Sequence, residues 1–249
     1  MSEILLQNKQ YADTLKGVLG LRGEPVAIKL VRAGEQYPDG YEEPVNAISH
    51  CQAVFRARGG ESFKLPRECQ GCAVGASALN MAPTPEKVAC GSFHANIGMH
   101  DSEAAAAKMI AERLIVPFET QGEVVCPLAE ADFVPDVVTI QDIPERCYWV
   151  VPLSTAEKGG RAHFSTSPFQ CACEDITAVP VCTGSPNISL GCFGCRKRTD
   201  MAADEMAVGI PYSMIPSFAA HLERYAETVM TKAKRERAGV ARRRVPVIL

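Results

Sequence analysis

The 249-residue sequence predicts an α+β fold: an irregular mix of helices and strands in a single compact domain, with a mixed sheet and flanking helices. Three observations carry that expectation. Helical and strand-like segments follow one another without the regular alternation of a doubly wound sheet. No fixed-period repeat, low-complexity tract or composition shift marks a linker. Hydrophobic residues make up 47% of the chain, enough to build a core without staples. One domain is therefore expected over residues 1–230, with a basic tail, 231–249, expected to fray.

Taken in order, Ile4, Leu5, Tyr11, Leu15, Val18 and Leu19 recur at helical spacing and stop at Gly20 and Gly23, which predicts an amphipathic helix. "EPVAIKLV" reads as a short strand, with Pro25 at its start, where a missing N–H matters least. "GEQYPDGYEEPVN" is a loop by its Pro, Gly and Asn. Helices are expected over 50–58, carrying Cys51, and over 72–81. "HDSEAAAAKMIAERL" is the clearest helix, capped by Asp101 or Ser102. "PDVVTI" is a β-branched run suited to a buried strand, and "RCYWVVPL" after it is a helix or another buried segment. Arg161–Ser167, "NISL" and "EMAVGI" read as strands. From Ser213 the chain turns helical again through "FAAHLERYAETVMTKAKRER".

The formal net charge is −3, so no global electrostatic argument points to nucleic acid or an anionic membrane. No segment approaches the roughly 18 consecutive apolar residues of a membrane span. The N-terminal residues lack the unbroken apolar stretch of a secretory signal, which leads to the expectation of a cytoplasmic protein. Phosphate loops, dinucleotide fingerprints and the Gly-x-Ser-x-Gly elbow are missing. The Lys- and Arg-rich tail reads as a solvated terminus.

Cysteine is the unusual feature. There are eleven, an odd number, so they cannot all pair as disulfides. In a reducing compartment, clustered thiols favour metal binding or redox work. Two pairs share a two-residue gap: Cys69 with Cys72 in "ECQGCAVG", and Cys192 with Cys195 in "GCFGCRKR". That gap lets both sulfurs address one ion while the backbone bends round them, which suits zinc or an iron–sulfur cluster with four thiolates. The pairs are about 120 residues apart, far beyond a compact zinc module, but loop-closure cost grows only slowly with length. Cys51, Cys171 and Cys173 are further candidate ligands; the last two would share a face in a strand. Cys90, Cys126, Cys147 and Cys182 are assigned to core filling. Without metal, either pair could work as a dithiol, and Arg196, Lys197 and Arg198 would lower the Cys195 thiol. Among the histidines, His50 is the best candidate because it adjoins Cys51, while His94 and His100 read as ordinary loop residues.

"GEPVAIKL", "CQAVFRARGG", "CQGCAVGASALNM", "VPDVVTI" and "NISLGCFGCRKRTDMAADEMAVGIP", in this order, resemble the domain of unknown function 169 family of bacteria and archaea. The resemblance runs from about residue 10 to about residue 228. It implies no common activity. It does imply recurring positions at Cys51, Cys72, Cys192 and around Asp204, Glu205, Gly209 and Pro211. In cysteine-rich relatives it also implies an element like Cys195–Arg196. The expectation is a cysteine-ligated iron–sulfur protein, with Cys69, Cys72, Cys192 and Cys195 as ligands, serving electron transfer or an anaerobic redox enzyme alongside a redox protein partner. A zinc-stabilised, non-enzymatic binding domain and a metal-free thiol-dependent oxidoreductase are the alternatives.

Overall fold

Six short strands pair into one sheet in the computed structural model, which describes residues 2–231. All but the first residue of the expected basic tail lies outside the described residues. The strands are β1 (Val26–Arg32), β2 (Phe63–Pro66), β3 (Thr120–Pro127), β4 (Val137–Asp142), β5 (Asn187–Ser189) and β6 (Met206–Pro211), in the order β2-β3-β1-β4-β6-β5. Every pairing between them is antiparallel, so the sheet is not the mixed one expected. Neighbouring strands enter from opposite ends, and none needs the crossover that a parallel pair requires. The fold class is α+β in a single compact domain.

The helices are α1 (Glu3–Leu19), α2 (His50–Arg58), α3 (Ala73–Ala78), α4 (Glu86–Ala89), α5 (Ser92–Ala95), α6 (Glu103–Ala111), α7 (Pro144–Cys147), α8 (Val150–Thr155), α9 (Val179–Thr183), α10 (Phe193–Arg198) and α11 (Ile215–Glu227). One π-helical stretch, Cys171–Ala178, precedes α9. Both faces of the sheet are covered. On one side Ala27, Cys126, Val138 and Val208 meet α1, α8 and α11. On the other, Val26, Ile28, Leu30 and Val125 meet α2 and the π-helix. Every residue of β4 and β6 is buried, as suits central strands covered on both faces, and in β4 this includes the polar Thr139, Gln141 and Asp142.

Local chemistry fixes the ends of the elements. Ser2 Oγ accepts from the Leu5 amide at 3.2 Å to cap α1, and Gly20 at φ 68° ends it. At α2, the Gln52 side chain accepts from the Ser49 amide at 3.0 Å. The expected strand Arg161–Ser167 is irregular instead. There the Asn187 amide accepts from the Ser165 N–H at 2.8 Å and donates to its carbonyl at 2.7 Å, so a side chain takes the place of a ladder. Cys171 and Cys173 lie in the π-helix and not in a strand. Its backbone rests directly on the sheet at Gly209, where a Cβ would stand 2.0 Å from the Ile176 carbonyl oxygen. Sequence reading missed both β2, whose alternation of buried Phe63 and Leu65 with half-buried Lys64 and Pro66 spans only four residues, and β3, which is buried at nearly every residue and carries no period-2 signal. The segment 146–153 resolves into the ends of α7 and α8.

Candidate functional site

All eleven cysteines are free thiols. Six of the seven candidate cysteines line a single cavity of about 310 Å3: Cys51, Cys72, Cys171, Cys173, Cys192 and Cys195. Four chain stretches deliver them. Cys51 is the second residue of α2. Cys72 precedes α3, held near α2 by a short parallel bridge between Ile48 and Gln70 in which the Gly71 N–H donates to the Ile48 carbonyl at 2.8 Å. Cys171 and Cys173 open the π-helix, and Cys192 and Cys195 frame the start of α10. Gly191, at φ 89°, takes the left-handed turn that sends the chain into Cys192.

Cys69, the remaining candidate, is not brought to the cavity. It ends a 3-10 turn, and its thiol donates to the Glu43 carboxylate at 3.7 Å. Burial and that carboxylate both push its pKa up. The sequence pairs Cys69 with Cys72 by spacing, but the turn sends the two sulfurs to different places. Its partner pair stays together: the Cys195 amide donates to Cys192 Sγ at 3.3 Å.

Cys195 is the hub of the thiols. The neighbouring thiols of Cys171, Cys192 and Cys51, with burial, raise its pKa. Acting as donor, it lowers Cys51 and Cys192. Against burial, the Ser49 hydroxyl helps at Cys51, and the backbone amides of Cys195, Cys171 and Gly194 help at Cys192. Ser49 Oγ lies 3.1 Å from Cys51 Sγ. The expectation that Arg196, Lys197 and Arg198 lower Cys195 is therefore corrected. All three are exposed, and Arg196 donates to the carbonyls of Leu190, Ala202 and Glu205. Burial, reinforced by the charges of Cys192, Cys72 and Cys51, holds Cys173 well above an ordinary thiol. Among the described residues, no group of three or more His, Cys, Asp or Glu side chains stands ready to hold a metal ion.

His50 lines the cavity beside Cys51. Its Nδ1 is 2.7 Å from Glu123 Oε2 and its Nε2 3.1 Å from Thr177 Oγ1, all but buried. Burial works against its charge, yet Glu123 prevails and raises its pKa. Gln70 Nε2 donates to the other Glu123 oxygen at 2.8 Å. Of the four cysteines assigned to core filling, Cys126 and Cys147 are buried and Cys182 is half-buried, donating to the Ile115 carbonyl at 3.3 Å. Cys90 is exposed, because α4 ends there and leaves its thiol beside Ser92 Oγ at 3.2 Å. Sequence reading missed Phe93, Phe169, Gln170 and Phe193, which line the cavity, and gave His94 no role in it. Adjacency was the available signal: Phe169 and Gln170 directly precede Cys171, and Phe193 sits inside the Cys192–Cys195 pair.

An antiparallel α+β domain with a thiol-lined cavity over one face of its sheet is the class that fold and site define. The chain belongs to the uncharacterised ArCR family, domain of unknown function 169, whose sequence profile matches residues 14–221. An uncharacterised protein of Methanocaldococcus jannaschii is 30% identical over 222 residues, covering 88% of this chain and 95% of that protein. No solved structure matches the chain. No helix among the described residues is long and apolar enough to cross a membrane.

Proposed function

We propose that this is a cytoplasmic cysteine-ligated iron–sulfur protein that passes electrons to or from a redox protein partner. The observation that carries the reading is the convergence of Cys51, Cys171, Cys192 and Cys195 on one cavity. Four thiols are the donor set such clusters use, with Cys72 and Cys173 close by. The donor chemistry fits as well, since two thiols are lowered by their neighbours and metal ligation requires thiolates. Each cysteine side chain turns about a single torsion, so sulfurs that line one cavity can turn to a shared ion. When bound, the cluster would supply one-electron transfer.

The chain's own residues then have definite tasks. The amides of Cys195, Cys171 and Gly194 donate to Cys192 Sγ, the kind of outer contact that tunes a cluster's potential. The Ser49 hydroxyl does the same for Cys51. The His50–Glu123 pair anchors the start of α2 and with it Cys51. Phe93, Phe169 and Phe193 hold water away from the thiols.

The test is anaerobic purification and reconstitution, followed by iron, sulfide and zinc analysis of the wild-type, C192S and C69S proteins. Iron and sulfide are expected in wild-type and C69S protein and lost from C192S. Colourless protein with neither element overturns the reading. Stoichiometric zinc alone would replace it with a zinc-stabilised binding domain, and metal-free protein with one fast-reacting thiol would replace it with a thiol oxidoreductase.

A further inference from the structure

The cavity has a second wall that the thiols do not supply. Phe93, His94, Phe169 and Phe193 form a chain of ring contacts: centroids are 5.0 Å apart from Phe93 to His94, 4.4 Å from His94 to Phe169 and 6.4 Å from Phe169 to Phe193. Two polar atoms of cavity-lining side chains have no hydrogen-bond partner among the described residues, Nδ1 of His94 and Nε2 of Gln170. Their side chains belong to residues only 1% and 6% exposed. Buried polar groups are almost always paired, so two orphaned atoms in side chains of the cavity wall point to a partner that the folded chain does not itself supply. Gln170 also holds a left-handed backbone, φ 66°, uncommon for glutamine and of a kind that clusters at ligand sites.

Charge narrows what enters. Lys197 and Arg198 line the cavity, are exposed and form no ion pair among the described residues. Lys197 Nζ lies 5.7 Å from the Phe193 ring centroid. Among the described residues, no aspartate or glutamate lines the cavity. Inorganic anions would leave the aromatic wall unused, and a neutral apolar molecule would leave Gln170 and the two cations unmatched. We propose that the cavity binds a small organic carboxylate with a flat apolar body. The body packs on Phe93, Phe169 and Phe193, and the carboxylate is met by Lys197, Arg198 and, once its side chain turns toward the cavity, Gln170 Nε2. Pockets of this kind, apolar with a few placed polar groups, are the usual form of small-molecule sites.

This inference goes beyond the metal reading and does not need it. Calorimetric titration of the full chain with phenylacetate, with neutral phenylacetamide and with acetate tests it, metal content being measured on the same samples. Phenylacetate is expected to bind roughly tenfold more tightly than either control, because only it satisfies both the charge and the apolar wall. The double variant K197A/R198A changes exposed side chains only, and is expected to bring phenylacetate down to the phenylacetamide level. Q170N keeps a residue tolerant of the left-handed backbone but draws back the donor, and is expected to weaken phenylacetate about tenfold or more, the worth of one hydrogen bond to a charged group. No saturable phenylacetate binding, equal binding of the amide, or unchanged affinity in either variant overturns the proposal. Phenylacetate binding by metal-free protein upholds this site while the metal reading falls, and metal without phenylacetate binding does the reverse.

Discussion

The two faces of the sheet bury the same residue type to opposite effect. On the face of α1 and α11, Cys126 and Cys147 are isolated among hydrocarbon. The nearest partner of Cys126 is Tyr41 Oη at 3.9 Å and that of Cys147 the Asp142 carbonyl at 3.6 Å, and burial pushes both thiols up to about 12. On the face of α2 and the π-helix the thiols meet one another. The Cys195 thiol, outweighing burial there, pulls Cys51 and Cys192 down. Burial alone makes a cysteine an inert hydrophobe, and donors around the sulfur turn it into a candidate nucleophile or ligand.

Alkylation of chelator-treated protein should expose the contrast most sharply. A thiol's reactive fraction grows as pH rises toward its pKa, so Cys51 is expected to label already at mildly acidic pH. Cys126, with its pKa near 12, is expected to label orders of magnitude more slowly at neutral pH. Mass spectrometry of timed samples reads the difference, and equal labelling of the two would erase the distinction between the faces. Metal content should divide the faces next. C192S is expected to lose iron on the order of tenfold or more, whereas C147A retains it. Parallel losses in elemental analysis would mean that iron reports only on folding.

Stability should divide them the other way. Phe218 is fully buried against the α1 face, and F218A is expected to cost about 3–5 kcal/mol in denaturant melts while leaving iron per folded molecule unchanged. The smallest effect belongs to the thiol on neither core. C69S is expected to shift stability by no more than about 0.5 kcal/mol and to leave iron intact; a loss of iron would return Cys69 to the site.

What could be read from the sequence followed the strength of the local signal. Helix α1 was legible because its apolar spacing and the stop at Gly20 agree, and β4 because a β-branched run buried on both faces has few other uses. The π-helix was not, because alternating cysteines in "FQCACEDI" look like strand periodicity, and only contact with Gly209 in a distant strand reveals the helix. The thiol cluster was half legible. Spacing found Cys192 with Cys195, and the further candidates Cys51, Cys171 and Cys173 proved to belong to the same cavity. Cys69 was misplaced because a two-residue gap states only that two sulfurs can converge. The turn at Arg67–Cys69, the Ile48–Gln70 bridge and the Glu43 carboxylate decide that they do not, and all three are tertiary facts.

Gly209 carries a consequence for the cavity, although it lines no part of it. Because the Ile176 carbonyl rests where its Cβ would be, the segment that carries Cys171 and Cys173 sits on the sheet without a spacer. A methyl group at 209 would act as a shim beneath the cavity floor, lifting two sulfurs together and making the pocket shallower while every side chain facing it keeps its identity. The depth of the chamber is written in the strand below it.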